Sequence, residues 1–381
     1  MSDVLIVGAG MAGVTAAIVL GRAGWRVTLL DPQSTFPSLF RAEKIEPDQA
    51  ELLRKFDLLD CLRPWRGEIG RVLVARGDRV SEVLQIEQYG IYYYDMVNEL
   101  RRQLPATVQF RVGRVRGLET SDQFQRITLA DDTVLTARLL VLATGTAGKL
   151  HEQVGVERRM LSENHSLSVG FTVRRPGGAA FPWSALTYYP LDPTTRVDYL
   201  TLFAIRDEMR ANLFLYRDPK DPWVRAFVNN PVAELASLFP KLADVIGSCQ
   251  VTSKVEMCPI DLYVTEQASQ PGAVLIGDAY QGVCPTTGTG LSKVLTDVDV
   301  LCNAYVPAWL ATPGMGAEKI SAFYADQRKM ASDLHSLDAA FYHRRYVTDA
   351  SLPWRLRRAR DRVAGDVKRL FTTSRQRAAV F

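Results

Sequence analysis

The first apolar run of the chain is short, unbroken and followed at once by a glycine turn. Residues 4–7 are all apolar, as in a parallel strand that is buried on both faces. Residues 11–23 follow with the pattern of a helix rich in small residues, Gly24 ends it, and residues 25–30 form a second strand that closes on Asp31. This order predicts a β-α-β unit at the N-terminus.

Periodicity beyond this unit predicts a helix, a middle sheet and a return to buried strands. Apolar residues at helical spacing predict a helix at 47–59, and short apolar runs predict strands within 108–142. Residues 166–216 alternate and are rich in Val, Phe, Tyr and Thr, which indicates an antiparallel sheet. A helical stretch at 223–246, a buried strand at 273–276 and mostly helical residues complete the chain.

These elements predict an α/β fold with two interleaved domains. We expect a Rossmann-like dinucleotide-binding domain, discontinuous over 1–165 and 266–330, with an inserted, mostly antiparallel β-sheet substrate domain at 166–265. The helical C-terminal region at 331–381 carries a basic tail, since the residues from Arg355 onward include nine Lys/Arg and two Asp/Glu. Apolar positions in this tail recur at helical spacing, so it contacts an anionic membrane surface, binds a partner or packs on the protein itself.

Composition places the chain among ordinary globular proteins, with 47% hydrophobic and 23% charged residues. The net charge of +4 gives no reason to expect a nucleic-acid partner. The five cysteines form no Cys-x-x-Cys pair, which is typical of free thiols in a reducing compartment, and the four histidines lack metal-ligand spacing, so no metal site is predicted. We find neither a signal-peptide pattern nor a segment apolar enough to span a bilayer, and therefore expect a cytoplasmic location.

Three glycines after the first strand have the spacing of a dinucleotide-binding turn. Gly8 allows a tight turn, Gly10 leaves room for a pyrophosphate, and Gly13 allows close packing of helix on strand. The helix opens with Met11-Ala12, so its free N–H groups would face the phosphates. Asp31 lies 18 residues after Gly13, close to the expected position of an acidic residue that accepts hydrogen bonds from ribose hydroxyls.

The glycine pattern does not separate NAD from FAD, but a second, distant glycine-rich turn does. An NAD dehydrogenase would continue with more parallel strands, whereas here the strand at 273–276 delivers Gly277-Asp278, whose carboxylate can accept from a ribityl hydroxyl. The turn that follows begins a new helix whose N-terminus would stabilise negative charge on a reduced flavin. Its predicted cofactor-binding residues are Pro285, Gly288, Thr289, Gly290 and Leu291.

Three motifs in this order resemble the FAD-dependent monooxygenases of the aromatic hydroxylase type, a group A-like family related to the flavin-dependent halogenases. The motifs are Gly8 to Gly13, the segment Arg41-Ala42-Glu43-Lys44-Ile45, and Gly277-Asp278 continued by Pro285 to Gly290 and Asp297. The resemblance implies bound FAD, with Arg41 at its phosphates, Asp278 at the ribityl chain and residues 285–291 at the isoalloxazine edge. From the residues alone, Arg41 could equally be a surface cation.

Four positions depart from the family pattern. Tyr280-Gln281 replaces Ala-His after Gly277-Asp278-Ala279, and Ser292 replaces an asparagine. Tyr93 stands where an arginine usually opens a helix, and Thr144-Gly145 replaces an Asp-Gly element that is tied to NAD(P)H use as well as to FAD. We keep Gly145 as a cofactor-binding residue and leave two electron sources open, NAD(P)H itself or a partner reductase.

The resemblance implies hydroxylation or epoxidation of an apolar or aromatic small molecule. In such enzymes reduced flavin takes up O2, and the resulting C4a-hydroperoxide transfers one oxygen atom, so we expect no Ser-His-Asp or paired-carboxylate constellation and assign no catalytic residue. Two alternatives stay open: a halogenase-like enzyme that receives reduced flavin from a partner reductase, and an FAD-dependent dehydrogenase or polyprenyl reductase.

Several other side chains each have two interpretations. Lys44 and Lys293 are either charges near the flavin or solvated lysines, and Cys284 either faces the flavin or is a packed thiol. Aromatic residues of the middle sheet either line a substrate pocket or form the core of the sheet; these are Phe181, Trp183, Tyr188 and Tyr189.

Overall fold

The computed structural model describes residues 1–191 and 195–361. In chain order its strands and helices are β1 (Ser2–Val7), α1 (Met11–Arg22), β2 (Val27–Asp31), β3 (Lys44–Ile45), α2 (Pro47–Lys55), β4 (Gly67–Arg76), β5 (Arg79–Gly90), α3 (Tyr93–Arg102), β6 (Val108–Val112), β7 (Val115–Glu119), β8 (Gln125–Leu129), β9 (Val134–Leu142), β10 (Glu157–Arg174), β11 (Ala185–Tyr189), β12 (Val197–Ile205), β13 (Glu208–Leu215), α4 (Pro222–Asn229), α5 (Pro231–Leu238), α6 (Leu242–Ile246), β14 (Gln250–Val251), β15 (Glu256–Glu266), β16 (Ala273–Leu275), α7 (Gly290–Asp299), α8 (Val306–Leu310), α9 (Ala317–Tyr324) and α10 (Gln327–Thr348). A π-helical segment, Val300–Tyr305, joins α7 to α8, and residues 352–361 are again helical.

The first of two compact units comprises Met1–Arg66, Ile91–Glu163 and Ile260–Asp338. Its sheet has the strand order β6-β2-β1-β9-β8-β7, and β16 also pairs with β9. The pairs β6-β2, β2-β1, β1-β9 and β9-β16 are parallel, whereas β9-β8 and β8-β7 are antiparallel. The central parallel strands β1 and β9 end in apolar runs because those segments are buried on both faces, as the zero exposure of Leu5 and Val141 illustrates.

The register of the parallel strands brings four chain segments to one edge of this sheet. Val7 is paired with both Leu30 and Leu142, and Leu275 is paired with Leu142. The strands β1, β2, β9 and β16 therefore end side by side. The segments that follow them leave the sheet together at its carboxyl edge, where α/β proteins bind ligands.

The second unit comprises Gly67–Gly90, Asn164–Pro259 and the described part of Ala339–Phe381. Its strands follow the order β14-β10-β13-β12-β11-β4-β5, and every pair is antiparallel except β11-β4. The helices α4 to α6 contribute Phe227, Leu238 and Leu242 to the same apolar core as the sheet.

The predicted fold class is confirmed: a Rossmann-like α/β region, an inserted, mostly antiparallel sheet and a helical C-terminal region are all present. The limits of the two units depart from the predicted domain limits at 67–90, which group with the second unit, and at 331–338, which group with the first. Which ligand each predicted domain binds stays a prediction. Residues 362–381, which hold most of the basic tail, lie outside the described residues.

The helical stretch predicted at 223–246 is present, and prolines divide it into three helices, α4, α5 and α6. Pro231 has no N–H to donate and takes the first position of α5, and the side chain of Asn230 caps that helix at the Ala233 N–H, 3.4 Å away. Among the described residues, the helices are all too short or too polar to cross a membrane.

Candidate functional site

The turn from β1 into α1 is so tight that two of its glycines cannot carry a side chain. Gly8 has φ of +100°, and a Cβ there would lie 2.4 Å from the Ala143 carbonyl oxygen. A Cβ at Gly13 would lie 1.8 Å from the Gly8 carbonyl oxygen. Real Cβ atoms essentially never come within 3.0 Å of another such heavy atom. These two glycines are therefore required for the fold of the turn itself.

Gly10 is different, because its backbone and its surroundings would accept a side chain. Its φ and ψ of −74° and −168° suit any residue, and a Cβ would come no closer than 3.7 Å to the Tyr93 hydroxyl and 4.0 Å to the Phe36 ring. The open space lies at the first residues of α1, where helix N–H groups lack intrahelical partners. A Cβ would therefore fill a cradle that suits a phosphate, as FAD requires.

Asp31 is the last residue of β2 and lies beside this turn. Two backbone N–H groups and one arginine bind its carboxylate. One carboxylate oxygen accepts from the Ala9 N–H at 2.8 Å, and the other accepts from the Gln33 N–H at 2.9 Å. The Arg101 guanidinium lies 3.3 Å from the same carboxylate. The aspartate thus reaches the predicted position, and its bond to a ribose stays a prediction.

Helix α3 covers the turn with two side chains that lie on one stripe of the helix, Tyr93 and Arg101. The Tyr93 hydroxyl accepts from the Met11 N–H at 3.3 Å, and Arg101 donates to the Ala9 carbonyl at 2.9 Å. Burial raises the pKa of the Tyr93 phenol to about 12, so it is neutral at pH 7. Sequence reasoning missed Arg101, although its spacing of eight residues from Tyr93 on an amphipathic helix was the available signal.

Hydrogen bonds from the surrounding elements hold the second glycine turn, which contains Gly277 and Asp278. The Gly277 N–H, at a residue with φ of +61°, donates to Asp297 at 2.8 Å, and the Asp278 carbonyl accepts from the Tyr263 hydroxyl at 2.6 Å. Burial raises the pKa of the Asp278 carboxyl, and the cations Lys293, Arg41 and Arg158 oppose that rise. Arg41 has an exposed side chain, yet it is close enough to influence Asp278.

The turn that precedes α7 carries the other predicted residues, Pro285 to Leu291. Pro285 opens a 3-10 turn that ends at Gly288, whose φ of +69° puts it in the left-handed region, with open space where a Cβ would lie. The Gln49 amide donates to the Gly288 carbonyl at 2.9 Å and to the Ser292 hydroxyl at 3.0 Å. Thr289 bonds to Ser336 at 2.9 Å, and α7 then begins at Gly290, with Leu291 buried.

Gly145 follows β9 and has its carbonyl bound by an arginine. Its φ is +62°, no atom lies within 4 Å of where its Cβ would be, and its carbonyl accepts from Arg158 at 3.0 Å. Arg158 also stacks on the Tyr263 ring, with its guanidinium carbon 4.3 Å from the ring centroid. Because Tyr263 binds the Asp278 carbonyl, the turns at 145 and 277–278 are linked through these two side chains.

For several side chains the sequence left two interpretations open, and the structure decides between some of them. Lys293 is fully buried, so the solvated-lysine interpretation is wrong for it, whereas Lys44 pairs with Glu46 at 2.9 Å. Cys284 is a buried thiol 3.0 Å from the Thr286 hydroxyl. In the second unit, Phe181, Trp183 and Tyr188 pack in or against the apolar core of the sheet, and Tyr189 lines a cavity of about 310 Å³.

The predicted cofactor-binding residues therefore all belong to one compact unit. The residues after β1, β2, β9 and β16 leave one edge of one sheet, and they include Gly8, Asp31, Gly145 and Gly277. A glycine turn between strand and helix, with an acidic residue at the end of the next strand, defines a dinucleotide-binding α/β protein.

Comparison with known proteins agrees with this class. Residues 1–310 match the FAD binding domain family, so the chain belongs to that family. A squalene monooxygenase of Brassica napus is 23% identical over 89% of this chain and 70% of its own length. The crystal structure of p-nitrophenol 4-monooxygenase PnpA from Pseudomonas putida has the same fold, with a TM-score of 0.76 at 18% identity over 96% of this chain and 93% of that chain. The flavin-dependent brominase Bmp2 has a TM-score of 0.71 at 16% identity over 96% and 93% of the two chains.

The chain is thus an FAD-dependent oxidoreductase of the flavin monooxygenase type, as its motifs predicted.

Proposed function

We propose that this protein hydroxylates or epoxidises an apolar or aromatic small molecule with O2, using FAD that is held by the first unit. The open cradle at Gly10 is the observation on which the cofactor site depends, because it is the one glycine of the first motif that the fold itself does not require. FAD, when bound, supplies the redox and oxygen chemistry, and the protein supplies position and electrostatics.

The side chains around the cradle have distinct parts in this proposal. The N–H groups of Met11, Ala12 and Gly13 at the start of α1 face the pyrophosphate, with Arg41 as a nearby cation. Asp31 accepts from the adenosine ribose, and Asp278 accepts from the ribityl chain. The turn from Pro285 to Leu291 and the N-terminus of α7 lie along the isoalloxazine, together with Gly145 after β9.

Anaerobic reduction of the FAD-loaded protein is the first test of the electron source. NADPH and then NADH are mixed with the protein without oxygen, and bleaching of the oxidised-flavin absorbance is followed with and without candidate aromatic or isoprenoid substrates. Bleaching, followed on admission of O2 by a product that has gained one oxygen atom, is the expected result. Oxygen uptake without an oxygenated product would refute monooxygenation and indicate an oxidase or dehydrogenase.

A halogenase-like enzyme is the second candidate, and two observations favour it. Thr144-Gly145 stands in place of the element tied to NAD(P)H use, and the fold is similar to that of a flavin-dependent brominase. In that case neither nucleotide reduces the flavin in the presence of any substrate, and turnover requires reduced flavin from a partner reductase together with a halide. A halide-independent product excludes this candidate.

Location and surface contacts complete the proposal. A cytoplasmic location is supported by the scatter of the five cysteines along the sequence, where none forms a Cys-x-x-Cys pair, as expected in a reducing compartment. Contact with an anionic membrane through the basic tail is supported by its nine Lys/Arg against two Asp/Glu. Sedimentation with phosphatidylserine vesicles, compared for the full chain and a chain ending at 361, tests that contact, and equal sedimentation of the two refutes it.

A further inference from the structure

Four buried charged side chains form a closed ring beside the 277–281 turn. Lys293 and Asp297 lie one helical turn apart on α7, and Lys329 and Asp333 lie one turn apart on α10. Each ammonium contacts both carboxylates: Lys293 at 3.2 and 3.1 Å, and Lys329 at 2.9 and 3.1 Å, from Asp297 and Asp333 respectively. Asp333 is 9% exposed and the other three are fully buried. We call these four residues the buried ion ring.

The ring is bonded to both ends of the 277–281 turn. Asp297 accepts from the Gly277 N–H at 2.8 Å, and the Lys293 ammonium lies 3.5 Å from the Gly277 carbonyl oxygen. At the other end, the Gln281 amide donates to the Asp333 backbone carbonyl at 3.0 Å. Between these ends, the Lys329 ammonium lies 4.0 Å from the centroid of the Tyr280 ring. The ring residues therefore bind the Gly277 backbone on one side of Asp278 and contact the side chains of Tyr280 and Gln281 on the other.

Stability is a poor explanation for such a ring. Removing four charges from water costs free energy that ion pairing only partly offsets, and apolar side chains of similar volume often serve a fold as well or better. Burial opposes ionisation, and it lowers the pKa of Lys329, but the two carboxylates raise the pKa of Lys293 and the two lysines lower the pKa of Asp297. The ring holds two positive and two negative charges, so it is balanced.

We propose that the buried ion ring positions the 277–281 turn and sets the electrostatic potential at which the flavin is reduced. The inference rests on the proposed FAD site and makes the four residues positioning residues for it. Among the cations, Lys293 has the largest influence on the Asp278 carboxyl, and Asp297 of the ring acts in the opposite direction, so removing either charge alone would change the balance at the proposed ribityl contact. Because reduction adds negative charge to the cofactor, unbalancing the ring by one charge should shift the reduction potential in a direction set by the sign of that charge.

The test measures the midpoint potential of bound FAD in three variants and in the wild-type holoprotein. Lys293→Met leaves the ring with one excess negative charge and should lower the potential, whereas Asp333→Asn leaves one excess positive charge and should raise it. The double variant Lys293→Met/Asp333→Asn keeps the 2.9 Å pair of Lys329 with Asp297 and is again balanced, so its potential should return towards that of the wild type. Loss of packing alone would not produce shifts of opposite sign.

Lys55→Met is the matched control. Lys55 pairs at 2.8 Å with Asp299 of the same helix α7, but its side chain is 55% exposed, so solvent screens the lost charge and the potential should not change. If Lys293→Met fails to fold, the inference is still tested by two results: the midpoint potential should rise in Asp333→Asn, and it should return towards the wild-type value in the double variant. Potentials in all ring variants equal to that of the wild type would overturn the inference and leave the FAD site standing, whereas a wild-type protein that binds no FAD would overturn the proposed function.

Discussion

Replacing Gly10 by valine should weaken FAD binding by orders of magnitude without disturbing the fold of the protein. A Cβ at this position makes only ordinary contacts, at 3.7 Å from the Tyr93 hydroxyl and 4.0 Å from Phe36, so the apoprotein should fold and melt as the wild type does. The valine side chain would instead occupy the space in front of the first turn of α1. The pyrophosphate would then be held away from that turn. Its charged oxygens would lose the hydrogen bonds that the backbone N–H groups donate.

The size of the effect follows from the number of bonds lost. Hydrogen bonds to charged groups contribute about 1.5–3 kcal/mol each, so losing two N–H bonds to the pyrophosphate costs about 3–6 kcal/mol. That cost raises the dissociation constant of FAD by about 10²- to 10⁴-fold. The assay is titration of the apoprotein with FAD, followed by quenching of flavin fluorescence, with the melting temperature of each apoprotein recorded in parallel.

The matched control places the same side chain where no cofactor is expected. Gly117 lies in strand β7 of the same unit, and a Cβ there would meet only Thr128, at 3.9 Å, so Gly117→Val should bind FAD normally. A Gly10→Val variant that binds FAD as tightly as Gly117→Val would show that the cradle is not the phosphate site.

Three further predictions concern the same unit and one buried histidine. Gly13→Ala should prevent folding rather than cofactor binding alone, because its Cβ would lie 1.8 Å from the Gly8 carbonyl oxygen; a variant that melts like the wild type in circular dichroism would contradict this. Tyr93→Phe should weaken FAD binding about tenfold through loss of one hydroxyl at the cradle, whereas Tyr305→Phe, which removes a bond to Asp326, should not; equal dissociation constants for the two variants would refute a role for Tyr93. Burial and the nearby Arg344 hold the pKa of His165 at about 4, below its usual 6.5, so the unfolded chain takes up the proton first and stability is lost as pH falls from 6.5 to about 4. His165→Gln retains a donor for the Ala340 carbonyl and should flatten that part of the urea-unfolding profile against pH; an unchanged slope would show that His165 is not responsible.

Local sequence patterns predicted the parts of the site that depend on backbone shape. Gly8 and Gly13 of the first motif and Gly277 and Gly288 of the second are required by close approaches or positive φ angles, and such requirements are visible in sequence because few other residues satisfy them. The fold class was predictable for a similar reason: unbroken apolar strands around a glycine turn indicate a parallel sheet, and alternation indicates an antiparallel one. The bonds of Asp31, Arg41 and Asp278 to FAD stay predictions.

Residues that meet only through tertiary packing were not predictable. Arg101 is separated from Ala9 by 92 positions, and Lys329 is separated from Asp297 by 32, with no motif to connect either pair. The helical stretch predicted at 223–246 is present as three helices, and the break before α5 falls at Pro231, which has no N–H to donate to a continuous helix.

The sequence by itself determined that the chain folds around a dinucleotide turn and belongs among flavoproteins, because the glycines that such turns require stand at fixed spacings after apolar strands. Only the tertiary structure decided that Lys293 is buried in an ion ring instead of solvated, and that Tyr93 lies on the cradle. A lysine or a tyrosine has the same local propensities in either place. Its role is set by which distant groups surround it, and the pairing of β1, β9 and β16 with the packing of α3, α7 and α10 brings those groups together.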